Sequence, residues 1–331
     1  MTANSCTSNS KPRPALFRSW VTRFFAVIIP VSVTFFVLTE LFIRYEVEPK
    51  DHFEQSIRVF YGSDKENVIL GDSIPARGFT GRPEFVNLAF SGENARRMNI
   101  KARAYFQERK PGMVVVSANY NLFNRKAEST RGYEHIYQHY SPKALRVMEP
   151  RHRERVLRYW EAILKNGELR PRGRVLPDGT LLSTNAEEYL IYARQGPDEL
   201  VTRATWMLGR GVPGPDFDTS VHAELYEDLM RFLKEKGADV CVVTFPVAPN
   251  FRPEMMKRPV FARVHEYFAR VAARHGFKYR NYWDAIDTPS DLMDEVHLTP
   301  SGARKLTDMI VRDCFGLEPV TSPTAARSDS R

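Results

Sequence analysis

Residues 67–79 read NVILGDSIPARGF. An apolar, strand-like run from Val68 to Leu70 passes through Gly71 into an Asp72-Ser73 pair, and the pattern then breaks. A serine directly after a buried strand has two readings. It caps a helix, or it is a nucleophile held at the mouth of a sheet. Nothing within these thirteen residues separates the two, so the decision falls to the rest of the chain.

Working outward, short apolar runs alternate with helical patterns. The expected strands are Val68–Leu70, Phe85–Phe90, Met113–Ser117, Val240–Phe245 and Phe277–Tyr279. Between the second and third, Met98, Ala102 and Phe106 fall at helical spacing. Before the fourth, Leu225, Leu229 and Leu233 recur every four residues and Gly237 offers a C-cap. Another Gly-stopped helical pattern follows the fourth strand, over PVFARVHEYFARVAARHG. Strand, helix, strand, helix predicts an α/β domain with a mostly parallel sheet, over residues 65–316. Residues 125–215 interrupt the rhythm and read as an insertion lying over the site. It holds a helical piece around Arg153–Lys165 and a hairpin at 174–182 turned by Pro177-Asp178-Gly179. Residues 44–64 read as a linker, and the polar stretch 317–331 as a disordered tail.

The N-terminal fifty residues carry a different signal. Residues 1–23 are polar and basic, with Lys11, Arg13, Arg18 and Arg23. Phe24–Ile43 is then apolar on all sides and long enough to cross a bilayer as a helix. No small-residue cleavage site follows it, so an uncleaved anchor is expected in place of a signal peptide. Basic residues before the span put the N-terminus in the cytoplasm and the bulk of the chain outside, in the periplasm of a Gram-negative cell.

The net charge of +8, from 48 basic and 40 acidic residues, is mild for 331 residues. It suits an anionic polymer or a membrane surface, and no base-reading motif or zinc-type cysteine pairing points to nucleic acid. The three cysteines, Cys6, Cys241 and Cys314, are too few for a disulfide framework. Buried free thiols are the default for Cys241 and Cys314, with a single bridge between them the alternative.

Four points along the chain converge on one chemistry. Ser73 is the first; open parallel sheets place functional groups at the carboxyl ends of their strands. The second is VNLAFSGEN, where Gly92 follows a strand and opens a helix, so its N–H is expected to be free to donate. The plain alternative is an ordinary strand-to-helix turn. The third is MVVVSANYNLF, which brings the Asn119 amide to another strand end; a turn-forming asparagine is the alternative, and Asn121 competes. The fourth is DLMDEVHLTPSGARKL, in which Asp294 and His297 are close enough for the carboxylate to orient the imidazole as a base toward a serine. Other histidines weigh less. His135 and His139 share a helical spacing that can bind metal, but Ile136 occupies the position of a zincin's glutamate and no metal is expected. His222, His265 and His275 read as solvent-facing or partly buried helix residues, and Arg77, Arg96 and Arg97 as solvated charge flanking the crevice.

Taken in order, Gly71-Asp72-Ser73, Gly92, Asn119 and Asp294-x-x-His297 resemble the four blocks of the SGNH, or GDSL-like, hydrolase superfamily, over residues 65–120 and 238–314. The resemblance implies a three-layer, flavodoxin-like α/β fold with no cofactor. It implies Ser73, His297 and Asp294 as catalytic residues, and the Ser73 and Gly92 N–H groups with the Asn119 amide as the oxyanion hole. The sequence departs from the family in the third block, where Ser117-Ala118-Asn119-Tyr120 stands in place of Gly-x-Asn-Asp. The expected activity is ester chemistry outside the cytoplasm. It takes the form of O-acetyl transfer to, or removal from, an envelope polysaccharide, with a polytopic membrane acyltransferase as the expected partner. The alternatives are a lipid esterase or lysophospholipase, and a non-catalytic glycan-binding or scaffolding member.

Overall fold

In a computed structural model, the chain is described over residues 14–123, 136–141, 143–153, 155–167 and 173–319. Five parallel strands form the central sheet: β1 (Asn67–Leu70), β2 (Phe85–Asn87), β3 (Met113–Ser117), β6 (Asp239–Thr244) and β7 (Lys278–Asn281). Their order is β2-β1-β3-β6-β7. This is the doubly wound order whose switch point lies between β1 and β3. Strands β1, β3 and β6 are buried on both faces, which explains their unbroken runs of Val, Ile and Leu. Helices α3 (Ser73–Gly78) and α13 (Pro300–Phe315) pack together on one face. Helices α4 (Ala95–Tyr105), α10 (Val221–Glu235) and α12 (Pro259–His275) pack on the other. The α/β reading therefore holds, and the expected strand positions hold to within a few residues. The largest difference is at β2, which ends at Asn87, although Leu88 N and Phe90 N still donate to Ile69 O and Gly71 O alongside β1.

The supposed linker is not one. Helix α2 (His52–Gly62) is capped by Asp51, whose carboxylate accepts from Phe53 N at 2.8 Å. It buries Phe53, Ile57 and Phe60 in the main core, an i, i+4, i+7 stripe that is apolar only on that side.

The inserted region contributes α5 (Ile136–His139), α6 (Pro150–Arg153), α7 (Val156–Asn166), the strands β4 (Gly173–Val175) and β5 (Leu181–Ser183), α8 (Ile191–Arg194) and α9 (Pro197–Gly211). Strands β4 and β5 form the expected antiparallel hairpin. Its turn glycine, Gly179 (φ +88°), lies against Asn87; a Cβ there would sit 1.9 Å from the Asn87 carbonyl oxygen. The hairpin is thereby held against the end of β2. The remaining helix of the outer body, α11 (Phe251–Met256), follows β6.

Cys241 on β6 and Cys314 on α13 form a disulfide, with Cα atoms 5.8 Å apart. The default of two free thiols is thus corrected. The pair is 73 residues apart in sequence, and only the packing of the last helix against the sheet brings the two within bridging distance.

At the N-terminus, α1 (Pro14–Phe42) continues into a single wide π-helical turn, Ile43–Val47. One helical stretch, Trp20–Val47, is long and apolar enough to cross a membrane. Its side chains from Phe24 to Leu38 are largely exposed, whereas Thr39, Glu40 and Ile43 are buried against the body. A run exposed on every side is not a core helix.

Candidate active site

The carboxyl ends of β1, β2 and β3 lie side by side. Leu70 is in register with Val116, and beyond the strands Phe90 N donates to Gly71 O at 3.0 Å. The Gly92 turn and the Ser117–Asn119 corner therefore flank the Gly71–Ser73 corner. Gly71 is required sterically, since a Cβ would lie 2.3 Å from Pro75 Cγ and 2.6 Å from Ser117 Cβ. Asp72 is the N-cap of α3, and its Oδ1 accepts from Ile74 N at 3.1 Å. Ser73 is consequently the first residue of α3, with its N–H at the positive end of that short helix.

So the two readings of Ser73 separate: Asp72 is the cap, and Ser73 is left for other work. Its Oγ lies 2.9 Å from His297 Nε2. On the far side of the ring, Nδ1 lies 2.8 Å from Asp294 Oδ2 and 3.0 Å from Oδ1. The residues are 224 positions apart in sequence and form one hydrogen-bonded line, hydroxyl to imidazole to carboxylate. Asp294 Oδ1 also accepts from Val296 N at 2.9 Å and His297 N at 2.8 Å. Burial alone would raise the Asp294 pKa, but the facing imidazole and these hydrogen bonds outweigh it and bring it down to about 2. The carboxylate is therefore ionised throughout the neutral pH range. Ser-His-Asp in this geometry can deprotonate the hydroxyl as it attacks a carbonyl.

The three expected oxyanion donors differ in state. Asn119 is buried; its Nδ2 donates to Asp72 Oδ1 at 3.1 Å and its Oδ1 accepts from Phe245 N at 3.3 Å. Asp72 thus orients the amide by one of its two N–H bonds. Gly92 is in the left-handed region (φ +76°) and exposed, within a turn, and α4 begins only at Ala95 with Asn94 as its cap. The expectation that Gly92 itself opens the helix is corrected. The reason is local: the Asn94 carboxamide accepts from Arg97 N at 3.1 Å and takes the capping role.

Several supporting residues were not legible in the sequence. Behind the Gly92 turn, Lys101 is buried, pairs with Glu93 and donates to Leu88 O at 2.5 Å. Tyr137 of the insertion donates to the same Glu93 carboxylate at 3.2 Å. Burial pushes the Glu93 carboxyl up and the Lys101 ammonium down, and each charge opposes the shift of the other. Beside the Asp294–His297 loop, the fully buried Glu295 is held by Arg203 of α9, with Nε to Oε1 at 2.8 Å and Nη2 to Oε2 at 3.1 Å. Tyr192 N of α8 donates to Met293 O at 3.3 Å, and Arg77 Nη1 reaches Met293 Sδ at 3.6 Å. A small apolar pocket beside Asn119 is lined by Ile74, Phe245, Val247, His265 and Trp283. There His265 packs edge-on to Trp283, and burial lowers its pKa to about 4. It is a neutral wall residue, partly filling the core as expected. His222 is fully buried, and His135 lies outside the described residues.

The insertion flanks the site through its hairpin and through α8 and α9. Not all of it roofs the crevice: Trp160 stacks on Phe42 of α1, at the N-terminal helix.

No family model and no curated protein matches the chain. Among solved structures, a catalytic mutant of an acetylxylan esterase from Geobacillus stearothermophilus is 12% identical, with 78% of this chain and 98% of that one covered at a TM-score of 0.42. An extracellular lipase from Streptomyces rimosus is 11% identical, with 76% and 99% covered at 0.39. A lipase/acylhydrolase from Enterococcus faecalis is 14% identical, with 77% and 98% covered at 0.37. In strand order, in the sequence of its four blocks and in the line from Ser73 through His297 to Asp294, the chain resembles the SGNH hydrolase superfamily.

Proposed function

We propose that the chain is a serine esterase or O-acyltransferase that acts outside the cytoplasm while anchored by its N-terminal helix. The single observation that carries the chemistry is the 2.9 Å contact between Ser73 Oγ and His297 Nε2, backed by Asp294. His297 takes the hydroxyl proton as Ser73 attacks an ester carbonyl. Asp294 holds the ring in the Nδ1–H tautomer and stabilises the imidazolium. The oxyanion is met by the Ser73 N–H, the Gly92 N–H and the Asn119 N–H that does not go to Asp72. His297 then returns the proton to the departing alcohol. The resulting acyl-Ser73 passes its acyl group to water or to a sugar hydroxyl, and the same imidazole deprotonates the acceptor.

Location rests on two features. The apolar helix is exposed along its middle and fixed to the body at its end, which suits an anchor that stays attached. The Cys241–Cys314 bridge suits an oxidising compartment. An envelope polysaccharide is the substrate we favour, on location and the basic balance of the chain. A polytopic acyltransferase is the partner that would supply the acyl group. The test is partitioning. The purified full chain in detergent receives an acetyl ester donor with and without envelope-type oligosaccharides, and both acetate and acetylated sugar are followed. Turnover that rises with acceptor and places acetyl on the sugar is the expected result. Acetate release indifferent to every acceptor would leave an esterase, and no turnover with any ester would remove the enzymatic reading.

A further inference from the structure

Helix α7 stands apart from the rest of the insertion. In VLRYWEAILKN (156–166), Val156, Leu157, Trp160, Ile163 and Leu164 fall along one stripe, with Arg158, Glu161 and Lys165 opposite. Such a stripe normally faces a core, yet no residue of α7 is buried. Leu164 and Leu157 are 84% and 78% exposed, the two highest values for large apolar side chains among the described residues. Leu145 and Met148, just before α6, are also exposed.

These side chains gather where α1 leaves its apolar stretch. Trp160 stacks on Phe42 with ring centroids 4.5 Å apart. Val147 N donates to Glu40 Oε2 at 2.9 Å, and Arg44 Nη2 donates to Ala144 O at 2.7 Å. The buried Arg146 is paired with Glu48, so Leu145 and Met148 are clamped beside the end of the helix. Depth follows from geometry. At 1.5 Å per residue, Trp20 and Phe42 are about 33 Å apart along the axis, close to the ~30 Å hydrocarbon thickness of a bilayer. With Trp20 at one boundary, Phe42 and the Trp160 stacked on it lie at the other, where tryptophan is favoured.

We propose that α7, with Leu145 and Met148, is a second membrane contact. It lies in the interface of the outer leaflet, with Leu157 and Leu164 among the acyl chains and Arg153 and Arg158 toward lipid phosphates. The occupant is the phospholipid bilayer, because the patch is continuous with the exposed apolar surface of α1 at Leu38 and Leu41. One helix alone would leave the outer domain free to swivel; a second contact sets its tilt. The proposal rests on the reading of α1 as an anchor, and the test separates the two. p-Benzoylphenylalanine replaces Val33, Leu157, Leu164 or Val221 in the full chain, which is reconstituted in phosphatidylethanolamine–phosphatidylglycerol vesicles and irradiated. All four positions are exposed, so each variant is expected to fold. Lipid adducts at 33, 157 and 164, several-fold above those at 221 on α10, are the expected result. Adducts at 33 without adducts at 157 and 164 would overturn the second contact and keep the anchor, as would cross-links from 157 and 164 to another copy of the chain. No adduct at 33 would overturn both.

Discussion

Ser73 and Asp72 divide a task that either residue type could perform. Asp72 caps α3, so the Ser73 hydroxyl is not needed for helix stability. Ser73→Ala should abolish labelling by a fluorophosphonate and ester turnover, and leave the melting temperature close to that of the parent. A cap would have cost about 1 kcal/mol, so a clear drop in stability with labelling retained would reverse the assignment. Asp294→Asn keeps the shape and removes the charge that orients His297. A loss of roughly 10³- to 10⁴-fold in kcat is expected, by the logic of a wrong imidazole tautomer. The same residue has a pH signature. Its folded pKa, about 2, lies below the ordinary 3.8. Between these values the unfolded chain binds more protons, so the stability due to Asp294 is complete above pH about 4 and lost as the pH falls toward 2. In melts from pH 5 to pH 2, the gap between parent and Asp294→Asn should close over that interval; a gap that stays constant would contradict the pairing.

At the scale of elements, the insertion acts as a brace. Arg203 on α9 is the partner of a fully buried carboxylate, Glu295, two residues before His297. Removing one partner of a fully buried pair typically costs about 3–5 kcal/mol; Arg203 is itself partly exposed, so a smaller loss is expected here. Arg203→Ala should therefore lower the melting temperature and, by loosening the loop, lower kcat, whereas Arg203→Ala with Glu295→Gln should recover part of the stability. If the single and double variants melt alike, the pair is not coupled. By the same reasoning, excision of residues 125–215 would remove Tyr192 and Arg203 from beneath the His297 loop. The expected outcome is loss of activity toward every acceptor, where a simple roof would give only a shift from transfer to hydrolysis. The Lys101–Glu93–Tyr137 network plays a similar part for the Gly92 turn and links α4 to α5.

For the molecule as a whole, the disulfide ties the sheet to its last helix. Closing a loop of this length stabilises by about 4 kcal/mol in the chain-entropy account. Cys241→Ala with Cys314→Ala should lower stability by an amount of that order. The parent should run faster on a non-reducing gel than after reduction. Identical mobility in both states, with thiols titratable after denaturation, would show that the bridge does not form.

Much of this protein follows from its sequence alone. The period of the apolar runs and the placement of glycine stops specify the α/β alternation, because period and backbone freedom act over a few residues. The Asp294–His297 pair was readable for the same reason: three residues apart, the two groups could hardly avoid each other. The apolar helix before residue 44 was equally plain, since burial on no side is a matter of composition. What tertiary structure alone decided involves partners far apart in the chain. The choice between cap and nucleophile at Ser73 fell only when His297 arrived 2.9 Å away and Asp72 took the cap. The 44–64 stretch became a packed helix because the core offered its apolar stripe a surface. Cys241 met Cys314 across the sheet, Arg203 found Glu295, and Trp160 went to Phe42 and not to the crevice. Each of these depends on which surfaces the fold brings together, and side-chain charge or apolarity carries no address for a partner many residues away.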